Sequence, residues 1–278
     1  MQIIVNDLSF HVLVEGEGPP VLLLHGFPDC SALWRHQIPA LTDAGYRVIV
    51  PDLRGFGASD HPVEVEAYRM EVLISDVLGI LAALGEQRVS VVGHDWGAAL
   101  AWALAATAPE RVHRLAALSV GHPAAYFTDA TAQREKSWYM LFFLFTGIAE
   151  DGLRRDGWAL LRALLGDRGD MDRYVIDLDR PGALTAALNW YRANLPAEIF
   201  ARTTPIPLPP VGCPVLGMWS DGDRHCGEAQ MLASQHHVTG SWRYLRIEGA
   251  GHWIPLDAPE TVNKALGEFL SSPAADVN

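Results

Sequence analysis

The chain has 278 residues, of which 49% are hydrophobic, and its formal net charge is -12. This length allows one large α/β domain or a core with an insert, and the apolar content suffices for a sizeable core. The negative charge argues against nucleic acid or an anionic membrane as a partner.

Cysteine spacing and the apolar segments indicate the setting of the protein. The three cysteines show no CxxC spacing, which predicts reduced thiols and a cytoplasmic location. Residues 1–10 lack a basic stretch and a long apolar run, so we expect no signal peptide. The longest apolar segment, residues 96–108, is shorter than the ~20 residues that span a bilayer.

The first quarter of the chain alternates strands with loops. Strands are predicted at residues 2–5, 9–15, 21–24 and 47–50, with a helix from Ser31 to Leu41. The sequence His-Gly-Phe-Pro at residues 25–28 directly follows a buried strand. Such a loop can offer a backbone N–H to a developing oxyanion, and Phe27 is our candidate. An ordinary strand-to-helix turn is the alternative interpretation.

The stretch at residues 88–100 carries the strongest signal. A buried strand ends in Gly93, and an Ala-rich helix begins after Gly97, with Asp95 midway between the two glycines. A turn this sharp needs small neighbours, because its backbone is crowded and strained. The pattern predicts a nucleophile elbow with Asp95 in the position of the nucleophile and the Trp96 N–H as a second oxyanion donor. The alternative is that Asp95 only caps the helix.

Aspartate at this position changes the chemistry that we expect. A carboxylate is already ionised at neutral pH, with a reference pKa of about 3.9. Attack on an ester would form a reactive anhydride, whereas displacement at a saturated carbon forms a stable alkyl ester. The nucleophile therefore favours a substrate carbon that bears a halide or a strained epoxide oxygen.

The pattern changes after a further strand at residues 112–120. Between residues 124 and 202 no strand is convincing, and helices are predicted at residues 136–147, 152–165, 170–177 and 181–194. A proline-rich extended segment follows at residues 203–210. We predict a mostly parallel sheet flanked by helices, with residues 1–122 and 206–278 as the core and residues 123–205 as a helical cap over the carboxyl ends of the strands.

The last part of the chain supplies an acid and a histidine at strand ends. Predicted strands at residues 214–219 and 241–247 are followed by Asp221 and Asp223 in one loop and by His252 in the other, before a closing helix at residues 259–270. The order nucleophile, acid, histidine is that of a hydrolytic triad. We predict that His252 activates water and that Asp223 orients His252. Asp221 is the alternative orienting acid.

The remaining histidines suggest no further chemistry. We expect His94 to pack beside the nucleophile, and His225, His236 and His237 to be solvated. No pair has convincing metal spacing, so no metal and no cofactor are predicted.

Over essentially its full length the chain resembles the epoxide hydrolases of the α/β-hydrolase fold. The resemblance is carried by residues 25–28, the elbow at residues 93–97, the segments 137–143 and 188–192, and Gly-His-Trp at residues 251–253. It implies that one tyrosine from each insert segment, Tyr139 and Tyr191, points at the epoxide oxygen. Many relatives have glutamine where this chain has Leu144.

Two phenols suit the opening of an epoxide. The reaction leaves an alkoxide, which needs a proton or a strong hydrogen-bond donor, and a phenol has a reference pKa of about 10. Alternatively, Tyr139 and Tyr191 are core aromatics of a helical lid. We expect Trp138, Phe142 and Trp190 to line or pack the substrate pocket.

The sequence thus predicts hydrolysis of a small-molecule epoxide to a vicinal diol, and it indicates nothing about oligomeric state. The nearest rival is a haloalkane or haloacetate dehalogenase that uses the same residues. Residues 97–101 offer no arginine for a haloacetate carboxylate, and haloalkane enzymes usually have a side-chain donor where Phe27 stands. A non-catalytic protein of the same fold is the rival from another class.

Overall fold

Long apolar runs in the sequence form the interior strands of one sheet. The computed structural model describes residues 1–127, 130–166, 169–201 and 206–272, and within these ranges the sheet has eight strands. The strands are β1 Gln2–Val5, β2 Leu8–Glu15, β3 Pro20–Leu24, β4 Arg47–Pro51, β5 Val89–His94, β6 Val112–Leu118, β7 Val215–Ser220 and β8 Trp242–Ile247.

The strands differ in burial according to their position in the sheet. The order is β1-β2-β4-β3-β5-β6-β7-β8, antiparallel from β1 to β4 and parallel from there to β8. Edge strand β1 alternates exposed and buried residues, whereas β7 is buried throughout. A strand covered on both faces needs a nearly unbroken apolar run, and the interior strands β3 and β7 have one. The predicted α/β architecture is therefore confirmed.

Helices on both faces cover the sheet. Those of the core are α1 Gln37–Asp43, α2 Met70–Ala83, α3 Trp96–Thr107, α9 Glu228–Ala233, α10 Ile254–Asp257 and α11 Pro259–Ser271. The predicted helix from Ser31 to Leu41 is wrong, because a short 3₁₀ turn at Ser31–Trp34 precedes α1. Pro39 explains the interruption, since a proline ring clashes with the carbonyl four residues earlier and is tolerated only in a first helical turn.

Helices are the main regular elements among the described residues between β6 and β7, and the longest of them is kinked by non-helical backbone at residues 155–158. The helices are α4 Ala130–Lys136, α5 Trp138–Phe143, α6 Ile148–Leu165, α7 Met171–Leu178 and α8 Ala183–Asn194. The predicted helix at residues 136–147 is wrong at both ends, because α4 ends at Lys136 and α5 spans only Trp138–Phe143. The helix start predicted at residue 152 is also wrong, because α6 begins at Ile148. Glu150 accounts for this earlier start, because its carboxylate accepts a hydrogen bond from the Gly147 N–H at 2.8 Å and so caps the helix start.

Part of the predicted proline-rich segment, residues 203–205, lies outside the described residues, as do residues 273–278 at the end of the chain. Residues 206–210 form no regular element. None of the described helices has the length and apolar character needed to cross a membrane.

Buried polar contacts fasten the helical segment together and to the core. Within it, Arg192 of α8 binds Glu150 of α6 at 2.8 Å, and both side chains are at most 8% exposed. Towards the core, Trp190 donates its indole N–H to the carbonyl of Arg54 at 2.9 Å. Unpaired buried groups would be costly, so these contacts favour one placement of the helices over the carboxyl ends of the strands.

Candidate active site

Asp95 stands at a sharp turn between β5 and α3. Its backbone has φ 53° and ψ -123°, in the region that non-glycine residues rarely adopt. A Cβ at Gly93 would come within 2.3 Å of the Gly97 carbonyl, and a Cβ at Gly97 within 2.1 Å of the Leu24 carbonyl. Only glycine fits at either position, so the glycine spacing makes the turn possible. The Asp95 side chain makes no capping hydrogen bond to α3.

The two oxygens of the Asp95 carboxylate have different neighbours. The Phe27 N–H donates to Oδ1 at 2.7 Å, and Oδ2 lies 3.4 Å from Nε2 of His252. Gly26 lets the loop come this close, because a Cβ there would lie 2.3 Å from Oδ1. The N–H of Trp96, the other predicted donor, also stabilises the ionised carboxylate. One oxygen is thus held by the backbone and the other is free to react.

His252 is oriented by Asp223. Its Nδ1 lies 2.8 Å from Oδ2 of Asp223, and both residues are buried. The other oxygen of Asp223 accepts hydrogen bonds from the N–H groups of His225 and Cys226, each at 2.8 Å. Asp221, the rival acid, instead accepts from the Gly249 N–H.

Charges in this buried group stabilise one another. Burial alone would raise the pKa values of Asp95 and Asp223, but the neighbouring His252 holds both below their usual range. Burial would lower the pKa of His252, yet the two carboxylates outweigh it and raise that pKa to about 10. In the resting site the imidazole is therefore a cation between two anions.

His94 and Ser119 hold His252 from behind. His94 Nε2 lies 2.9 Å from the His252 carbonyl, and the Ser119 hydroxyl donates to the same oxygen at 2.8 Å. Burial lowers the pKa of His94 to about 4, so its ring is neutral at pH 7 and can donate from Nε2. As predicted, His94 packs beside Asp95.

Tyr139 of α5 and Tyr191 of α8 come together above Asp95. Their ring centroids are 6.3 Å apart, and the two side chains line the same small cavity as Asp95 and His252. Burial raises the pKa of both phenols well above the usual value. Each therefore keeps its proton at neutral pH and remains a hydrogen-bond donor.

Asp95 lies on the wall of two cavities of very different size. The one that also holds Tyr139, Tyr191 and His252 has a volume of about 20 Å³. The other has a volume of about 450 Å³ and extends along α3 from Trp96 towards the surface. We call them the small cavity and the large cavity.

Of the three aromatic residues predicted to line or pack the pocket, Phe142 and Trp190 pack against residues of the cavity walls, and Trp138 does neither. Trp138 is 51% exposed, and Phe142 packs on Phe143 with a ring distance of 6.2 Å. Trp190 is fully buried behind Trp96, with a ring distance of 5.8 Å. None of the three is among the described residues that line the small or the large cavity.

The prediction that His225 is solvated is wrong. It is 7% exposed, and its ring lies edge-on between Tyr139 and His252, with centroid distances of 5.4 and 5.0 Å. One feature of the sequence could have indicated this position: His225 comes two residues after Asp223, in a loop that must approach His252. The sequence could not show that the loop turns inward there. His236 and His237 lie in a 3₁₀ turn after α9, and His237 stacks on His122 at 4.5 Å.

Within the described ranges, one group of side chains has the proximity that a metal ion requires. Ligand atoms of Asp223, Cys226 and His252 lie within 4.8 Å of one another. Asp223 and His252 are already joined by the 2.8 Å hydrogen bond. Burial raises the pKa of the Cys226 thiol well above its usual value. Both oxygens of Asp223 are already engaged, one with His252 and the other with two backbone N–H groups, so the hydrogen bonds of the site account for this grouping without a metal.

Comparison with known sequences gives the same fold and a consistent group of relatives. A family model for the alpha/beta hydrolase fold matches residues 19–259. AB hydrolase superfamily protein YfhM of Bacillus subtilis is 34% identical, over 96% of this chain and 96% of that protein. Epoxide hydrolase A of Mycobacterium tuberculosis is 32% identical, over 96% of this chain and 95% of that protein.

Solved structures agree with the sequence comparison. A Bacillus megaterium epoxide hydrolase in complex with an inhibitor superimposes with a TM-score of 0.88 at 28% identity, over 98% of this chain and all of that one. Epoxide Hydrolase A from Mycobacterium thermoresistibile gives a TM-score of 0.80 at 30% identity, over 97% of each chain.

Proposed function

This chain belongs to the epoxide hydrolases of the α/β-hydrolase fold, and on that premise we propose that it hydrolyses an epoxide to a vicinal diol through an ester on Asp95. One observation carries the proposal: an ionised carboxylate and two protonated phenols face the same buried cavity. A nucleophile at one side and donors for the leaving oxygen at the other are what opening a three-membered ring requires.

In the first step Oδ2 of Asp95 attacks a ring carbon. The C–O bond of the epoxide breaks, its electron pair goes to the oxygen, and Tyr139 or Tyr191 gives that oxygen a proton. Both phenols can donate because burial keeps them protonated. The product of this step is an alkyl ester with a free hydroxyl on the neighbouring carbon.

Ester formation changes the state of His252. The negative charge of Asp95 is one of the causes that raise the pKa of His252 to about 10, and it disappears when the ester forms. The imidazolium of His252 then gives its proton to the phenolate that formed in the first step. A neutral imidazole, still oriented by Asp223, is left 3.4 Å from the ester group and can act as a base.

In the second step His252 takes a proton from water, and the water oxygen attacks the ester carbonyl carbon. The N–H groups of Phe27 and Trp96, which already stabilise the carboxylate, stabilise the oxyanion. When the ester bond breaks, the diol takes the proton it needs from the imidazolium and leaves. The new carboxylic acid passes its proton to His252, which restores the starting charges.

The division of the chain and its location follow from the same proposal. Residues 1–122 and 206–278 form the hydrolase core, and residues 123–205 form a cap that carries both tyrosines over Asp95. Cys30, Cys213 and Cys226 are all among the described residues and are unpaired. Unpaired cysteines are usual in a reducing compartment, so we place the enzyme in the cytoplasm.

Trapping the ester tests the mechanism. His252→Gln should still react with styrene oxide but should not release diol, so the intact protein should gain the mass of one substrate on the peptide that holds Asp95. Asp95→Asn is the matched control and should gain no mass. Parent enzyme that makes diol while His252→Gln never gains mass on that peptide would overturn the mechanism.

Isotope labelling and a halide assay separate the remaining alternatives. In a single turnover in H₂¹⁸O the first diol should carry unlabelled oxygen, because that oxygen comes from Asp95. Diol labelled in the first turnover would show direct attack by water. Release of halide from 1-chlorobutane or chloroacetate, with no diol from any epoxide, would identify a dehalogenase instead.

A further inference from the structure

The two cavities beside Asp95 differ about twentyfold in volume, at about 450 and 20 Å³. Cavities of the larger size hold drug-sized ligands, whereas the smaller volume exceeds only slightly what one water molecule needs. Both meet at the nucleophile, so the two ring carbons of a bound epoxide have very different space around them.

Aromatic rings form much of the wall of the small cavity. Phe27, Tyr139, Phe143, Tyr191 and Trp253 line it, together with His252, the base of the second step. The ring centroid of Tyr191 lies 5.0 Å from that of Phe143 and 5.6 Å from that of Phe27, so these rings already pack against one another. A substituent on the ring carbon that faces this cavity would have to push them apart.

The large cavity can accept an apolar substituent. Apolar side chains dominate its wall, including Ile74, Met140 and Leu208. The charged side chains among its described lining residues are Asp95 and Glu71, both acidic, and Glu71 stands at the exposed end. A chain or aryl group fits here, but a carboxylate would meet two like charges.

A third space does not relieve the crowding. It measures about 440 Å³ and lies on the far side of Tyr139 and His225, with the charged residues Glu135, Lys136 and Arg224 in its wall. Asp95 is not among its lining residues, so a substituent on the reacting carbon could reach it only by displacing Tyr139 or His225.

We propose that the substrate is a terminal epoxide that carries one uncharged apolar substituent. This inference rests on the proposed function. The substituent occupies the large cavity, and the unsubstituted CH₂ faces the small one. A second substituent on that carbon would collide with the aromatic wall of the small cavity, so it would slow attack by Asp95 as well as binding.

A matched series of epoxides tests the size limit. Styrene oxide, trans-β-methylstyrene oxide and trans-stilbene oxide share one phenyl group and differ in the second substituent: hydrogen, methyl or phenyl. We expect kcat/KM to fall about tenfold or more for methyl and at least about 100-fold for phenyl. Equal values across the series would overturn the inference while leaving epoxide hydrolysis intact. No diol from any member would instead refute the proposed function.

A second series locates the substituent. From 1,2-epoxybutane to 1,2-epoxyoctane we expect kcat/KM to rise about threefold to fourfold per methylene. Ala103 of α3 lines the large cavity, so Ala103→Leu should reduce this gain. The matched control Ala163→Leu changes the third space instead and should preserve it. A chain-length gain that Ala103→Leu leaves untouched in a folded protein would place the substituent elsewhere.

The charge requirement has its own test. 7,8-Epoxyoctanoate should react about tenfold more slowly than its methyl ester at low ionic strength, and added salt should narrow the difference. Glu71→Gln should also narrow the rate difference between the carboxylate and its ester, since one of the two acidic groups in the cavity wall is removed. A carboxylate that reacts as fast as its ester would refute the proposed neutrality of the substituent.

Discussion

The hydroxyl of Tyr174 donates a hydrogen bond to Oδ2 of Asp29 across 2.7 Å and thereby joins α7 to the loop that carries Phe27. Arg173, the neighbour of Tyr174, binds the other oxygen of the same carboxylate. Asp29 is 1% exposed, and burial raises its pKa despite both partners. The cap and the Phe27 N–H that holds Asp95 are thus positioned by one buried acid.

Removal of the Tyr174 hydroxyl should weaken this link. Tyr174→Phe leaves Asp29 buried with one donor fewer, so we expect the free energy of unfolding to fall by about 1–3 kcal/mol. Urea denaturation measures this. The control Tyr244→Phe removes a hydroxyl that donates to the more exposed Glu228, and it should cost about 0–1 kcal/mol. Equal losses in both variants would contradict the special role of the Asp29 contact.

A methyl group at Gly26 should disrupt catalysis more than folding. Gly26→Ala would place a Cβ 2.3 Å from Oδ1 of Asp95, so the carboxylate must move away from the Phe27 N–H. We expect diol formation to fall about 100-fold or more. Gly267→Ala, in α11 with no atom within 4 Å of the new Cβ, should keep full activity and gain about 0.5–1 kcal/mol of stability. Full activity in Gly26→Ala would show that this contact is not needed.

Each phenol should contribute to formation of the ester rather than to its hydrolysis. We expect Tyr139→Phe or Tyr191→Phe to slow ester formation about 100-fold, and the double variant to slow it further, since one donor can partly replace the other. Rapid-quench measurements with His252→Gln in the background isolate this step. Tyr46→Phe, before β4, serves as the control. Loss confined to the hydrolysis step would remove both tyrosines from the proposed role.

The pKa of His252 should depend on the charge of Asp95. Asp95→Asn removes an anion 3.4 Å from Nε2, so the pKa should fall from the parent value of about 10. NMR titration of the imidazole measures this. Asp221→Asn is the control, because Asp221 bonds Gly249 rather than His252. An unchanged pKa in Asp95→Asn would refute the proposed change of His252 from cation to base.

Stability should also depend on pH through this group. The folded-state pKa of His252 is raised above 6.5, so its stabilising contribution is complete below pH 6.5 and is lost as the pH rises towards about 10. The pKa values of Asp95 and Asp223 are lowered, so their contribution is present above about pH 4 and is lost in more acidic solution. The stability difference between the parent and His252→Gln should therefore be greatest between about pH 4 and 6.5. A difference that stays constant from pH 6 to 10 would contradict this.

Much of the framework could be predicted from the sequence because its signals are local. Gly93 and Gly97 demand a sharp turn wherever the chain goes, since no side chain fits beside the neighbouring carbonyl groups. The apolar runs of β3 and β7 require cover on both faces. The triad order followed from strand ends that must meet at one edge of a parallel sheet. The tyrosine pair came from resemblance alone, because nothing local separates it from core aromatics.

Tertiary structure alone decided what surrounds these groups. His225 looks like a solvated loop residue in the sequence, yet the loop that brings Asp223 to His252 turns it inward. The sequence leaves open whether Trp190 lines the pocket or packs behind it, and the structure packs it behind Trp96, outside the cavity wall. Cavity volumes depend on how distant elements pack, and that packing is set by the sum of many weak contacts rather than by any short stretch of residues. The sequence therefore indicated the class of reaction, and the packing is the basis of the proposal about which epoxide can reach Asp95.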